Sequence, residues 1–302
     1  MMAFLGLCLY VDGMPVRTCM IVLLALLLGI PIVYSTAQEP AIEGDRLDVD
    51  IYGNIFVLDA ERNTLRQYTR EQKLVREVGG PGWQDAQFDR PKGIWARNGI
   101  DIFVADFGNH RIQRFDRTLS FVSSLSTRSS DNPDERFGYP TDVAISRLGE
   151  LFICDGENSR MVKVNRLSQV ERTFGGFGAG EGSLRNPERV EIGPGDNVYV
   201  QDGDRIVEFD AFGNFVENLS PGVFKKPSCL FADPNGIVVV DDTTLYCFDS
   251  HNRPEAVLSL PRLLGGPVKE IRSIALSIGN LYILTSTGLS VIPDPRGANP
   301  VR

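Results

Sequence analysis

Six short apolar strands recurring at intervals of 39–49 residues, five of them closed by an aspartate, predict an all-β fold. Each interval has room for four strands, which is the arithmetic of a six-bladed β-propeller with four-stranded antiparallel blades. Two further observations support this. No stretch beyond the N-terminal segment keeps a 3.6-residue apolar period, which excludes helical repeats of the same length. The chain also holds 30 Gly and 18 Pro in 302 residues, with turn pairs such as Asn98-Gly99 and Asn235-Gly236 where tight hairpins are needed. At 42% hydrophobic and 23% charged, the composition suits a packed chain rather than a disordered one.

The N-terminus reads differently from the rest. Residues 20–34, MIVLLALLLGIPIVY, follow Arg17 and precede Ser35-Thr36-Ala37. A charged flank, an apolar run of this length and small residues before the junction describe a signal peptide over 1–37, cleaved after Ala37. Met14 is the expected true start, since it gives a leader of conventional form. The run is short for a bilayer span, which needs about 20 apolar residues; an uncleaved anchor is the competing reading. The propeller is then expected over 38–302 and outside the cytoplasm, periplasmic or secreted. Cleavage leaves Cys154, Cys229 and Cys247, which is no disulfide framework. Cys154 reads as a small buried hydrophobe, and a Cys229–Cys247 bridge is left open.

The strands are Ile55–Leu58, Ile102–Ala105, Leu151–Cys154, Val198–Gln201, Ile237–Val240 and Leu281–Leu284. Asp59, Asp106, Asp155, Asp202 and Asp241 close the first five, and Thr285 stands at that place in the sixth. Four units add an apolar-x-x-Pro signature: Phe88/Pro91, Phe137/Pro140, Leu184/Pro187 and Phe224/Pro227. A short strand after the proline, the strand just given, and two more complete each unit. The last unit ends after three strands at Pro293-Asp294-Pro295, so Gln38–Glu43 is expected to supply the fourth and tie the ring shut.

Phe88-x-x-Pro91-x-Gly93-Ile94 followed by Ile102-Phe103-Val104-Ala105-Asp106-x-x-Asn109-His110-Arg111-Ile112 resembles the NHL repeat closely, and Asp155-x-x-Asn158-x-Arg160-Met161 is nearly as good. The other units are degenerate. The resemblance spans roughly residues 44–295 and implies a six-bladed NHL-type propeller, a fold that hosts unrelated functions.

Periodicity also sorts the candidate site residues. An aspartate at one point of five blades reads as structural, accepting hydrogen bonds from turn N–H groups or a nearby arginine. His110 and His251 sit in polar turns and read as surface residues. The glycine-rich run Gly175–Gly182 lacks a following Lys-Ser/Thr and a helix start, so it reads as an inter-blade loop rather than a phosphate cradle. Lys225-Lys226 reads as a solvated pair. The functional candidates are positional: loops entering the innermost strands converge at one mouth of the central channel. Two residues past each proline or its equivalent stand Arg46, Gly93, Asp142, Arg189, Cys229 and Arg272. Arg46, Asp142, Arg189 and Arg272 are therefore the expected ligand-binding residues, their guanidinium forks suited to an anion.

The net charge of −8 argues against nucleic acid, which requires clustered positive charge. The expected function is that of an extracytoplasmic, monomeric binding module for a protein, peptide or glycan, with no catalytic residues, metal or cofactor. The alternative is a propeller enzyme of the lactonase or lyase type with a metal at the channel mouth. Two histidines cannot make a three-histidine zinc site. Ca2+ on Asp142 and Glu188 enters only under that alternative.

Overall fold

The computed structural model describes residues 41–296. The leader, its cleavage point and Met14 lie outside them. Blade one consists of β1 (Arg46–Val49), β2 (Ile55–Asp59), β3 (Thr64–Tyr68) and β4 (Leu74–Gly79), and blade two of β5 (Gly93–Trp95), β6 (Asp101–Asp106), β7 (Arg111–Asp116) and β8 (Phe121–Leu125). Blade three holds β9 (Pro140–Ile145), β10 (Leu151–Asp155), β11 (Arg160–Val164) and β12 (Val170–Phe174). Blade four holds β13 (Pro187–Ile192), β14 (Val198–Asp202), β15 (Arg205–Phe209) and β16 (Phe215–Asn218). Blade five holds β17 (Pro227–Asp233), β18 (Gly236–Asp241), β19 (Thr244–Asp249) and β20 (Pro254–Ser259). Blade six has three strands among the described residues: β21 (Ile271–Ser277), β22 (Asn280–Thr285) and β23 (Gly288–Pro293). All pairings within blades are antiparallel.

The first strands touch in cyclic order, β1 to β5, β9, β13, β17, β21 and back to β1. This is a closed six-bladed propeller, as the repeat predicts. The second strands β2, β10, β14 and β18 are buried along their whole length. A blade packs against a neighbour on each side, so both faces of these strands are apolar, and they read in the sequence as continuous runs rather than alternating ones. The outer strand β4, by contrast, is largely exposed.

The recurring signature has a physical cause. Phe88 is fully buried against Phe56, Leu58 and Leu65 of blade one and Val104 and Phe115 of blade two. Phe137, Leu184 and Phe224 are likewise buried, each contributing about 1.5–3 kcal/mol. The strand-end aspartates then staple the loop that carries the signature. Asp106 accepts from Asp89 N–H at 2.8 Å, Asp155 from Gly138 N–H at 3.0 Å, Asp202 from Arg185 and Asn186 N–H at 2.8 and 2.6 Å, and Asp241 from Lys225 and Lys226 N–H at 2.8 Å each. Arg111, Arg160 and Arg205 neutralise three of these carboxylates. The structural reading of the aspartate period holds.

Ring closure differs from expectation. Residues 38–40 lie outside the described set, and residues 41–43 form no strand against β23. Instead Ile42 packs with Val57, Tyr282 and Leu284 in the seam between blades one and six. Polar side chains then lock the seam: Leu47 N–H donates to Ser273 Oγ at 3.1 Å and Ser277 Oγ donates to Asp50 O at 2.7 Å. Among the described residues a buried side chain and two hydroxyls thus join blades one and six. Cys154, Cys229 and Cys247 are all free and buried. No helix among the described residues is long and apolar enough to cross a membrane.

Candidate functional site

The strands of each blade alternate in direction, so the loops entering β1, β5, β9, β13, β17 and β21 gather at one end of the axis. A cavity of about 500 Å³ opens there. Its rim takes one residue from every blade: Asp45, Lys92, Thr141, Glu188, Ser228 and Arg272. Arg46 and Arg189, one residue further along their strands, reach the same cavity. A lobe of about 430 Å³ continues it towards Gln201 and Lys226.

Three of the four expected site residues therefore meet, and one does not. Arg46, Arg189 and Arg272 line the mouth, whereas Asp142 is buried below it. The register also corrects the place of Arg272. Ile271 pairs with Thr285 as Pro227 pairs with Asp241, and Ser273 pairs with Leu284 as Cys229 pairs with Val240. Arg272 is thus the equivalent of Ser228, not of Cys229. Blade six has no proline at its entry, and counting from its neighbours misplaces the origin by one residue.

Each arginine is held by backbone of another blade: Arg46 and Arg272 by a neighbour, Arg189 by blade six, two places around the ring. Arg46 Nε donates to Lys92 O at 2.8 Å, and an Arg189 terminal nitrogen donates to Arg272 O at 2.7 Å. Arg272 donates to Gly44 O at 3.1 Å and lies 3.7 Å from Asp45 and 3.8 Å from Glu270. Glu188 accepts from the Asn186 and Gln201 amides, at 2.6 and 3.2 Å. Among the described residues neither Arg46 nor Arg189 has a carboxylate within 4.0 Å. Lys92 stacks on Phe107, its Nζ 3.7 Å from the ring centre. Burial, then Arg46, draws the Lys92 pKa down. Phe107 also packs on Tyr139, ring centres 5.0 Å apart, with His110 against the other ring at 4.1 Å. His110 Nδ1 accepts the Tyr139 N–H, so it is a half-buried turn residue engaged in packing outside the cavity lining.

Asp142 owes its place to a glycine across the blade boundary. A Cβ on Gly93 would collide with the Asp142 carboxyl, so blade two leaves the space that blade three fills. Asp142 Oδ2 accepts Val190 N–H at 3.1 Å, linking blade three to blade four. Burial pushes its pKa up to about 7, with Arg46 opposing.

The far half of the channel is occupied, which sequence reasoning missed. Arg97, in the turn after β5, donates to Asp48 of blade one at 3.2 Å, to Glu191 of blade four at 2.7 Å and to Ala232 O of blade five at 2.9 Å. Its guanidinium lies 4.3 Å from the Phe231 ring centre. Only 23% of the side chain is exposed. Burial raises the Glu191 pKa, opposed by Arg97. A signal was available: Asp48, Arg97 and Glu191 are charged residues on or just beyond axial strands, where a charge requires a partner.

Comparison with known proteins follows from this geometry. The family model of the NHL repeat matches residues 137–164. A Caenorhabditis elegans protein named "Probable peptidyl-alpha-hydroxyglycine alpha-amidating lyase" is 34% identical over 114 residues, 35% of this chain and 31% of that protein. The Drosophila melanogaster protein "brain tumor" is 28% identical over 151 residues, 48% of this chain and 14% of its own. The alignments thus span less than a third of either relative. Among solved structures, a streptogramin B lyase superposes with a TM-score of 0.59 at 11% identity, covering 85% of this chain and 84% of its own.

Proposed function

We propose that this chain, a six-bladed β-propeller of the NHL-repeat family, is a binding module that takes an anionic group of a protein, peptide or glycan partner into its channel mouth. One observation carries the reading. Arg46 and Arg189 are anchored by backbone carbonyls across a cavity of about 500 Å³, yet have no carboxylate within 4.0 Å among the described residues. Cations preorganised without a counter-ion form a ready receptor for a carboxylate, phosphate or sulfate, since a charge-assisted hydrogen bond contributes about 1.5–3 kcal/mol. The predicted leader, over residues 1–37, makes the reading one of an exported protein.

The test is calorimetric titration with short peptides ending in a carboxylate or its amide, phosphopeptides, and uronate or sulfated oligosaccharides. The reading expects one anionic class to bind and the Arg46→Ala/Arg189→Ala double variant to lose at least tenfold in affinity. Unchanged affinity in the double variant refutes the mouth as the site.

The names of several relatives favour an enzyme as the second reading. A calcium-dependent reaction on Asp142 and Glu188 does not fit the residues. Asp142 lies outside the cavity lining with a raised pKa, and Glu188 is taken up by two amides. No three His, Cys, Asp or Glu side chains gather in a metal-holding arrangement among the described residues. We derive no catalytic step through such an ion. Elemental analysis of the protein purified from its own compartment separates the readings: one equivalent of bound metal supports the enzyme.

A further inference from the structure

We propose that the face opposite the mouth docks on an anionic lipid bilayer through the hairpin tips of blades six, one, two and three. The turns between first and second strands all emerge on that face. In these four blades they present Ile278, Ile51 with Tyr52, Ile100 and Leu148, all exposed. Three of the blades form one continuous strip. Gly53 lies under Ile278, and Gly99 lies under Tyr52 and Ile51, with a Cβ on Gly99 only 2.6 Å from the Tyr52 ring. Leu167, on the β11–β12 tip, extends the apolar surface outward.

Ile278 is the most telling member. It holds φ at 49° in the Ile278-Gly279 turn, a left-handed conformation that asparagine adopts cheaply and a β-branched residue does not. An exposed isoleucine in that conformation contributes little to packing and costs about 1 kcal/mol or more.

Charge selects the occupant. Arg70 and Lys73 on the β3–β4 tip, Arg117 on the β7–β8 tip and Arg166 on the β11–β12 tip are exposed beside the strip, with Glu71 the one exposed acid on those three tips. Blades four and five, on the same face, carry the half-buried Asp196, Asp210, Asp233 and Asp249, of which Asp196, Asp233 and Asp249 are paired with Arg147, Arg296 and Arg253. Among the described residues Arg70, Lys73, Arg117 and Arg166 have no carboxylate partner, so a chain of net charge −8 keeps unpaired cations where its aliphatic tips protrude. Apolar and tyrosine tips entering about 5–10 Å into the headgroup region, flanked by arginine and lysine, match a negatively charged bilayer. The channel mouth then faces away from the membrane.

The test places an environment-sensitive fluorophore on the full chain at Ile100→Cys or, on the mouth face, at Phe177→Cys. Cys8→Ser and Cys19→Ser form the background, and the three remaining cysteines are buried. With vesicles containing phosphatidylglycerol the Ile100→Cys probe should shift to the blue, while the Phe177→Cys probe should not. Because the readout is which face meets lipid, it holds whether or not the leader is retained. Arg70→Ser with Arg117→Ser should weaken the shift roughly fivefold per arginine at low salt, and Ile51→Ser with Ile278→Asn should abolish it. No shift at residue 100, or an equal shift at both positions, overturns the proposal. So does a shift without vesicles that follows protein concentration, which assigns the strip to a second copy of the chain.

Discussion

Asp142→Asn should stabilise the protein above neutral pH and leave it nearly unchanged in acid. The Asp142 carboxyl rises from an ordinary 3.8 to about 7 because it is buried beneath the mouth. A carboxyl raised on folding binds its proton more tightly in the native state than in the unfolded chain. Its penalty is absent below about pH 4, grows through the window from 4 to 7, and is complete above it. Three pKa units correspond to about 4 kcal/mol at 1.36 kcal/mol each, a ceiling that solvent entering from the mouth reduces. Asparagine keeps an oxygen to accept the Val190 N–H and carries no charge, so the penalty disappears. Urea midpoints of both proteins at pH 4.5, 6.0 and 7.5 decide the matter. Glu191, whose pKa is raised by burial and in part by Asp142 itself, is kept out of the difference by making the comparison in a Glu191→Gln background. Curves separating in favour of the variant as pH rises are expected, and parallel curves would refute the assignment of a protonated Asp142.

Asp106→Ala removes the acceptor of the Asp89 N–H, Asn109, Arg111 and Gln113 and strands a largely buried Arg111. It should cost about 3–5 kcal/mol, read as a fall of roughly 10 °C in Tm. Asp241→Asn should be milder, because that carboxyl holds two backbone N–H groups and no arginine. Arg97→Met leaves Asp48 and Glu191 without their cation and should lower stability by about 3–5 kcal/mol in denaturant titration. Adding Asp48→Asn and Glu191→Gln should recover a substantial part of it. Arg147→Ala serves as the control: its pair with Asp196 is solvent-exposed, and a change above about 1 kcal/mol would be unexpected.

Much of this architecture is visible in the sequence because blade packing imposes a period on it. A second strand buried on both faces must be apolar throughout, and the loop beside it must give its N–H groups to one carboxylate. All six blades therefore repeat an apolar run, five close it with an aspartate, and four add an apolar-x-x-Pro. The mouth is partly legible for the same reason: a fixed count reaches Arg189 from Pro187, and Arg46 from Gly44, which stands in the place of that proline in blade one. The count fails in blade six, where neither a proline nor a strand-end aspartate marks the origin, and places Arg272 one step out of register. It fails again at Asp142, because whether an axial side chain faces solvent depends on the residue opposite, here Gly93. Contacts across the axis have no sequence period. Arg97 joins Asp48, Glu191 and Ala232 over separations of 49, 94 and 135 residues, and no local pattern announces such a pairing. The seam has no sequence period either: among the described residues Ile42, Ser273 and Ser277 join blades one and six through single side chains, while half of the expected closing segment, residues 38–40, lies outside them.

The two ends of the channel are consequently unlike. Arg97 at the far end already has two acids, a carbonyl and an aromatic face, and an incoming anion would have to displace them all. Arg46 and Arg189 at the mouth have one carbonyl each, and the charge nearest the channel beneath them is an Asp142 that is half protonated near neutral pH. Ionisation of Asp142 partly offsets Arg46, and protonation exposes its charge to the cavity. Anion affinity at the mouth should therefore strengthen as pH falls from 8 to 6, and Asp142→Asn should abolish that dependence. An Arg97 variant, which removes a cation that lowers the Asp142 pKa, should instead shift it to higher pH. Affinity that is flat in the wild type over this range, with the ligand's own ionisation accounted for, would separate Asp142 from the mouth and leave the arginines to act alone.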